Sequence, residues 1–333
     1  MGSSWDGNGI VSEGHSQEGI LMKISVALTN HNQHAMVKET IELLLSAATK
    51  PSHIYVLSDG KPFWDFTGNH KIVPLNNTGH FTGRCGNRNS VVAPFLESDD
   101  DGLVFMDGDC FPDIPDFLDK YALFLENHDL VFGTRRHTDI TGLEMPPSDL
   151  LTANMDRMYH GEKLSYTDLR LVSGAVGAWR ESTSFSEKLD LMLTGMIGWS
   201  CNFGFSRKGL EKLREFQKAT YGLDEGIFDS GAFKDGWGYE DVAMGIDALY
   251  AGLDITITDG VRVGHHSHDR SDGLFDHVKG RHAIMERYRN LENSISSWEN
   301  IKRAAIVASA FFTSGLITGL VTGAINLQQM IGM

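Results

Sequence analysis

Strand-like and helix-like segments alternate along most of the chain, and nothing else in the sequence limits its architecture as strongly. "KISVALTN" (23–30) is a compact β run, and "MVKETIELLLSAAT" (36–49) carries Ile41, Leu44, Leu45 and Ala48 at helical spacing. "HIYVLSDG" (53–60) reads as a second strand closing in a turn. "KIVPL" (71–75) is a third, which Pro74 makes short or peripheral because proline cannot donate to a ladder. A helix is expected over 86–96, a buried strand in "LVFMDGDC" (103–110), and a helix with a strand in "YALFLENHDLVFGTRR" (121–136). Strand then helix recurs in "GWSCNFGFSRKGLEKLREF" (198–216). "GWGYEDVAMGIDALYAGL" (236–253) opens another helix, and "DITITDGVRVGHHSHD" (254–269) gives one or two strands ending in histidines. The alternation predicts an α/β domain with a mainly parallel central sheet flanked by helices. The stretch 139–181 is less regular and suits loops that carry acceptor contacts or link elements.

At 333 residues the chain can bury a large core, and no boundary before about residue 295 divides it. The expected organisation is a disordered leader over 1–21, rich in Gly and Ser, one domain over 22–295, and an apolar helical tail over 296–333. The leader lacks the basic start and apolar run of a secretory signal. Within the tail, "AAIVASAFFTSGLITGLVTGAI" (304–325) has no charged residue, and Gly315, Gly319 and Gly323 recur every fourth position. Two readings stay open for it: contact with a membrane, or a buried or oligomer-forming helix. Cys85, Cys110 and Cys201 are too few and too scattered for a disulfide framework, so free thiols are expected. With the missing secretory signal, this predicts a cytoplasmic protein, placed at the cytoplasmic face of a membrane if the tail anchors it. A net charge of −15 excludes a broad non-specific grip on nucleic acid, which needs clustered cations.

The chemistry is expected outside the carboxyl ends of the strands, where open parallel sheets bind ligands. Asn30 to Asn32, Ser58–Asp59 and the "DGD" of Asp107–Asp109 fall there. Most Asp-Gly-Asp triplets are turns. This one follows the apolar run 103–106, so it delivers two hard oxygen donors at a sheet edge, and Gly108 lets a phosphate approach. "GHHSHD" (264–269) also follows a strand; an isolated histidine cluster is usually a solvated loop, whereas here an imidazole can join the carboxylates around an ion such as Mn²⁺. In "GRCGNRNS" (83–90), Arg84 and Arg88 lie one helical turn apart and are either surface charges, holders of a nucleotide's phosphates, or groups that orient the acids. Glu240 and Asp241 open a helix, where the dipole stabilises acids whatever their use.

Taken in order, "ISVALTNHN", "VLSDG", "GRCGNRNS", "LVFMDGD", "CNFGFSRKGL", "FDSGAFKDGWGYEDVAMGIDALYAGL" and "VGHHSHD" resemble a glycosyltransferase of the GT-A fold. They are similar to the large inverting family 2 and to the C-terminal half of the β-1,4-galactosyltransferases, over about residues 23–278. The resemblance implies a metal site of Asp109 with His266, His268 being the fallback, and places Asp107 towards the donor's ribose or the metal. It puts Thr29, Asn30 and Asp59 against the nucleotide, with Arg84 and Arg88 on the donor side. In "GWGYED" it implies Asp241 as general base, Glu240 as a holder of acceptor or sugar hydroxyls, and Trp237, beside Gly238, as the floor under the sugars. The implied cofactor is Mn²⁺ or Mg²⁺, and the implied partners are a nucleotide-sugar donor, expected to be UDP-linked, and a glycan or other hydroxyl acceptor.

Three departures from the family pattern stand out. The first strand ends in "LTNHN" where Pro-Thr-Tyr-Asn is common, Ser58 replaces the first of two acids, and Asp247 stands where many relatives carry arginine. The expected activity is metal-dependent, inverting sugar transfer. Two alternatives stand beside it: a nucleotide-sugar or glycan-binding protein with degenerate chemistry, and a nucleotidyltransferase, which shares the sheet and metal logic but gives "GWGYED" no task.

Overall fold

The computed structural model describes residues 22–63, 68–79, 83–137, 177–193, 201–233 and 238–265, with 282–284, 286–287, 289 and 291. The leader 1–21, most of 139–181, Trp237, His266, His268 and the apolar run 304–325 lie outside the described residues. Among the described residues, no helix is long and apolar enough to cross a membrane.

One eight-stranded sheet organises the chain, in the order β3-β2-β1-β4-β7-β6-β8-β5. Its strands are β1 (Ile24–Asn30), β2 (Ile54–Ser58), β3 (Ile72–Asn76), β4 (Gly102–Met106), β5 (Cys110–Pro112), β6 (Leu130–His137), β7 (Asn202–Ser206) and β8 (Ile255–His265). The first four are mutually parallel, and β3 forms an edge, as Pro74 requires. The expectation of a mainly parallel sheet needs correcting beyond β4. There β7 runs antiparallel to both β4 and β6, and β5 runs antiparallel to β8, so the sheet is mixed.

Helices cover both faces. They are α1 (His34–Ser46), α2 (Gly83–Asn89), α3 (Val92–Glu97), α4 (Phe117–Asn127), α5 (Phe185–Leu193), α6 (Arg207–Tyr221) and α7 (Glu240–Tyr250). Because successive strand residues face opposite ways, the sheet feeds two cores. Tyr55, Leu57, Leu103, Phe105, Phe203 and Phe205 pack with α3, α6 and α7. Their neighbours Ile54, Val56, Val104 and Met106 pack with α1 and α4. The single helix expected over 86–96 is divided into α2 and α3. Its polar side chains compete for the backbone: Ser90 Oγ donates to Asn87 O at 2.7 Å, and Asn77 Nδ2 donates to Ser90 Oγ at 2.9 Å.

Phe105 stacks on Phe203 with ring centroids 4.7 Å apart, and Phe228 meets both edge-on. All three rings are buried. Phe203→Ala is therefore expected to lower stability by about 3–5 kcal/mol, read from the midpoint of urea denaturation. A loss below about 1 kcal/mol would mean that this stack does not hold the sheet to α6 and the 227–229 loop.

Candidate active site

The parallel pairing of β1 with β4 brings the ends of both strands together, Leu28 lying opposite Met106. Thr29 and Asn30 therefore sit beside the "DGD" turn. Asp107 accepts from Thr29 Oγ1 at 3.4 Å, and the Gly108 N–H donates to the same hydroxyl at 3.2 Å. Gly108 is forced by this approach, since a Cβ there would lie 2.1 Å from the Thr29 carbonyl oxygen. Asn30 is buried, donating to Ser58 Oγ at 2.9 Å and accepting from the Gln33 N–H at 3.1 Å. At the end of β2, Asp59 pairs with the exposed His31 at 2.8 Å.

Asp109 faces the other way, towards α1 and β8. Gln33 Nε2 donates to its Oδ2 at 3.3 Å, and His265 Nε2 lies 3.4 Å from the same oxygen. The pairing of Cys110 with His265 across β5 and β8 sets this meeting. One ligand atom each from Asp109, Cys110 and His265 lie within 4.8 Å of one another. Burial lowers the His265 pKa, against the pull of Asp109, which favours the neutral imidazole that has a lone pair to give. Burial pushes the Cys110 thiol well up, and its Sγ donates to Asp109 Oδ1 at 3.6 Å. The donors presented are thus a carboxylate and an imidazole, a set that fits Mn²⁺.

The resemblance implies His266 as the partner of Asp109; that residue is outside the described ones, and among the described residues His265 lies beside the acid. The signal for it was strand parity. Val261, Val263 and His265 alternate to the same buried face. That parity is hidden because the β6–β8 register shifts between Phe132 and Thr134, which moves Val261 to the face opposite Ile257.

Arg88 ties the two acid pairs together. Its Nη2 donates to Asp107 Oδ1 at 2.8 Å and its Nη1 to Glu240 Oε1 at 3.1 Å, while the guanidinium lies 5.6 Å over the Phe228 ring. Burial works against this charge, but Asp107 and Glu240 outweigh it and hold the pKa above its ordinary value. Arg84 Nη1 approaches the same Glu240 oxygen at 3.7 Å. Glu240 is only 2% exposed. Its described partners are these two arginines, so its Oε1 serves to fix α7 to α2.

Asp241 differs from its neighbour. It is half-buried, and its Oδ1 accepts from the Val242 N–H at 2.8 Å in the first turn of α7. Entry to this turn is strained: Gly238 has φ of 96° and Tyr239, a non-glycine residue, has φ of 72°. Such a conformation persists only where its surroundings impose it, and it is common at functional sites. The site residues brought together are thus Thr29, Asp107 and Arg88 with Glu240, and separately Asp109 with His265. Gln33 and Asn89 were not anticipated. Asn89 Oδ1 accepts from the Ile227 and Phe228 N–H groups at 2.9 Å each, and its Nδ2 donates to the Phe228 carbonyl at 2.7 Å.

Solved structures resemble this chain in fold. GalNAc-T7, crystallised with UDP, GalNAc and Mn²⁺, aligns with a TM-score of 0.51 at 11% identity over 81% of this chain and 48% of its own. TarS 1-349 from S. aureus matches with a TM-score of 0.46 at 13% identity, covering 74% of this chain and 60% of that one. The mannosyltransferase PcManGT from Pyrobaculum calidifontis, in complex with GDP-Man and Mn²⁺, matches with a TM-score of 0.45 at 13% identity, over 90% of this chain and 80% of its own. The chain therefore spans less than two thirds of the length of TarS 1-349 and of GalNAc-T7. No curated protein matches it in sequence. The mixed sheet flanked by helices is GT-A-like. The model of Glycosyl transferase family 2 matches residues 25–214, more than half of the sequence, and the chain belongs to that family.

Proposed function

We propose that this protein transfers a sugar, with inversion, from a nucleotide-diphosphate donor, UDP-linked, to a hydroxyl acceptor such as a glycan. The observation that carries the reading is the coupling through Arg88 of the "DGD" turn at the end of β4 to the acids that open α7. Sugar transfer must stabilise a departing diphosphate and remove one acceptor proton, and the two acid groups divide those tasks.

Asp109 and His265 are the residues that would hold Mn²⁺, with His266 and Asp107 assigned there by resemblance. When bound, the ion supplies positive charge to the departing diphosphate. On the donor side, Thr29 and Asp59 form the edge that faces the nucleoside, Asn30 is buried behind them on Ser58 and Gln33, and Arg84 adds a cation for phosphate. On the acceptor side, Asp241 takes the hydroxyl proton on its carboxylate, which the dipole of α7 favours in the ionised form. Trp237 and Gly238 flank the sugars, and Glu240 sets the height of α7 through the arginines. Inversion follows from a single displacement, which needs only this one base.

A screen of nucleotide sugars by mass spectrometry, with and without Mn²⁺, tests the proposal. One donor is expected to yield its nucleoside diphosphate and a transferred or hydrolysed sugar, with turnover falling at least about tenfold after chelation with EDTA. Release of pyrophosphate would indicate nucleotidyl transfer, and binding without turnover of any donor would indicate a carbohydrate-binding protein. Either result overturns the assignment.

A further inference from the structure

Beyond the segment matched by the family model, Arg287 occupies a position that the sequence pattern leaves without explanation. Asp247 lies on α7, the helix that carries the acid pair, and it is 1% exposed. A buried carboxylate needs compensation. Arg287 provides it, Nη2 donating to Asp247 Oδ2 at 2.7 Å, while Gln217 Nε2 and Tyr221 Oη donate to the same carboxylate at 2.8 and 3.0 Å. Burial pushes Asp247 above the ordinary carboxylate range, and these three donors act against that. The other arm of Arg287 bonds to Asp229, and its guanidinium lies 3.7 Å over the Tyr221 ring. Ile284 and Leu291, on either side of it in sequence, are buried.

These contacts close a circuit. Glu240 and Asp247 are seven residues apart on α7, two helical turns, and so share a face about 10 Å long. Arg88 holds the first and Arg287 the second. The loop between α6 and α7 is held from both sides as well, by Asn89 at Ile227 and Phe228 and by Arg287 at Asp229. Arg88 and Asn89 are adjacent on α2. Without Arg287, Asp247 would keep the neutral donors Gln217 and Tyr221 but lose its ion pair, and the 227–229 loop would lose the tie at Asp229.

We propose that Arg287 is a positioning residue: by clamping Asp247 and Asp229 together it fixes the tilt of α7 and hence the place of Asp241, so Arg287, with the buried Ile284 and Leu291, belongs to the catalytic unit. The kinetic part rests on the proposed role of Asp241; the structural part does not. The test compares Arg287→Gln, Arg287→Lys and the parent in two measurements, both made at a temperature where circular dichroism shows a native fold. In Arg287→Gln, backbone amide exchange across 242–250 is expected to rise at least tenfold. Its kcat is expected to fall at least tenfold, with the donor KM within threefold of the parent. Arg287→Lys keeps the charge but lacks the planar fork whose two arms reach Asp247 and Asp229, so it is expected to recover part of both losses. Unchanged exchange in α7 overturns the proposal whether or not the protein is a transferase. Faster exchange with kcat unchanged per folded molecule overturns the positioning role and leaves Arg287 a purely structural clamp. If the parent turns over no donor, the proposed function has failed, and the exchange measurement alone decides on the clamp.

Discussion

Asp241→Asn is expected to lower turnover by about 10²–10⁴-fold, the range for a missing general base, while the affinity for the nucleotide donor stays within about threefold. The two acids that open α7 stand in different surroundings. Glu240 is buried and its Oε1 is occupied by Arg88. Asp241 is half-buried in the first turn, with one oxygen on the Val242 N–H. A base must be ionised and must reach the acceptor, and only Asp241 combines exposure with the favourable end of the helix dipole. The amide keeps the shape and the Val242 contact but cannot accept a proton. Steady-state kinetics with calorimetric titration of the nucleoside diphosphate in Mn²⁺ separates the two effects. Near-normal turnover would sink the base assignment, and loss of donor affinity matching the loss of turnover would move Asp241 to the donor side.

The position of the "DGD" turn is legible in the sequence, for physical reasons. β4 is an apolar run with both faces buried, so the acids after Met106 had to emerge at the sheet edge, and they do. The mixed half of the sheet was not legible. Strand direction depends on how connections return, and the apolar runs of β6 and β7 read alike in either direction. Arg84 and Arg88 lie one turn apart in the sequence, but which of them is buried depends on how α2 packs against β1 and β2. The arginine that answers Asp247 was out of reach, because Arg287 is distant in sequence and its two acids come from different elements.

Replacing Arg88 should have the broadest effect of any single change. Its side chain is 4% exposed and makes a hydrogen bond to a carboxylate of each acid pair. Breaking a buried ion pair by removing one partner leaves the other charge uncompensated, a cost of about 3–5 kcal/mol. Arg88→Gln is therefore expected to lose stability in that range by urea denaturation. It should also lose at least about 100-fold in kcat/KM, since a misplacement of about 1 Å at a reacting group costs that much. Lysine is not expected to rescue either property, because one ammonium cannot span Asp107 and Glu240 with the fixed fork of a guanidinium. The pair Arg88→Gln with Glu240→Gln separates charge from geometry. With the buried carboxylate at Glu240 also neutralised, most of the stability should return, whereas activity should stay low because nothing ties the "DGD" turn to α7. Full recovery of activity in the double variant would mean that Arg88 acts only as a counter-charge. An Arg88→Lys enzyme indistinguishable from the parent would show that the bridge between the two acid pairs plays no part in catalysis.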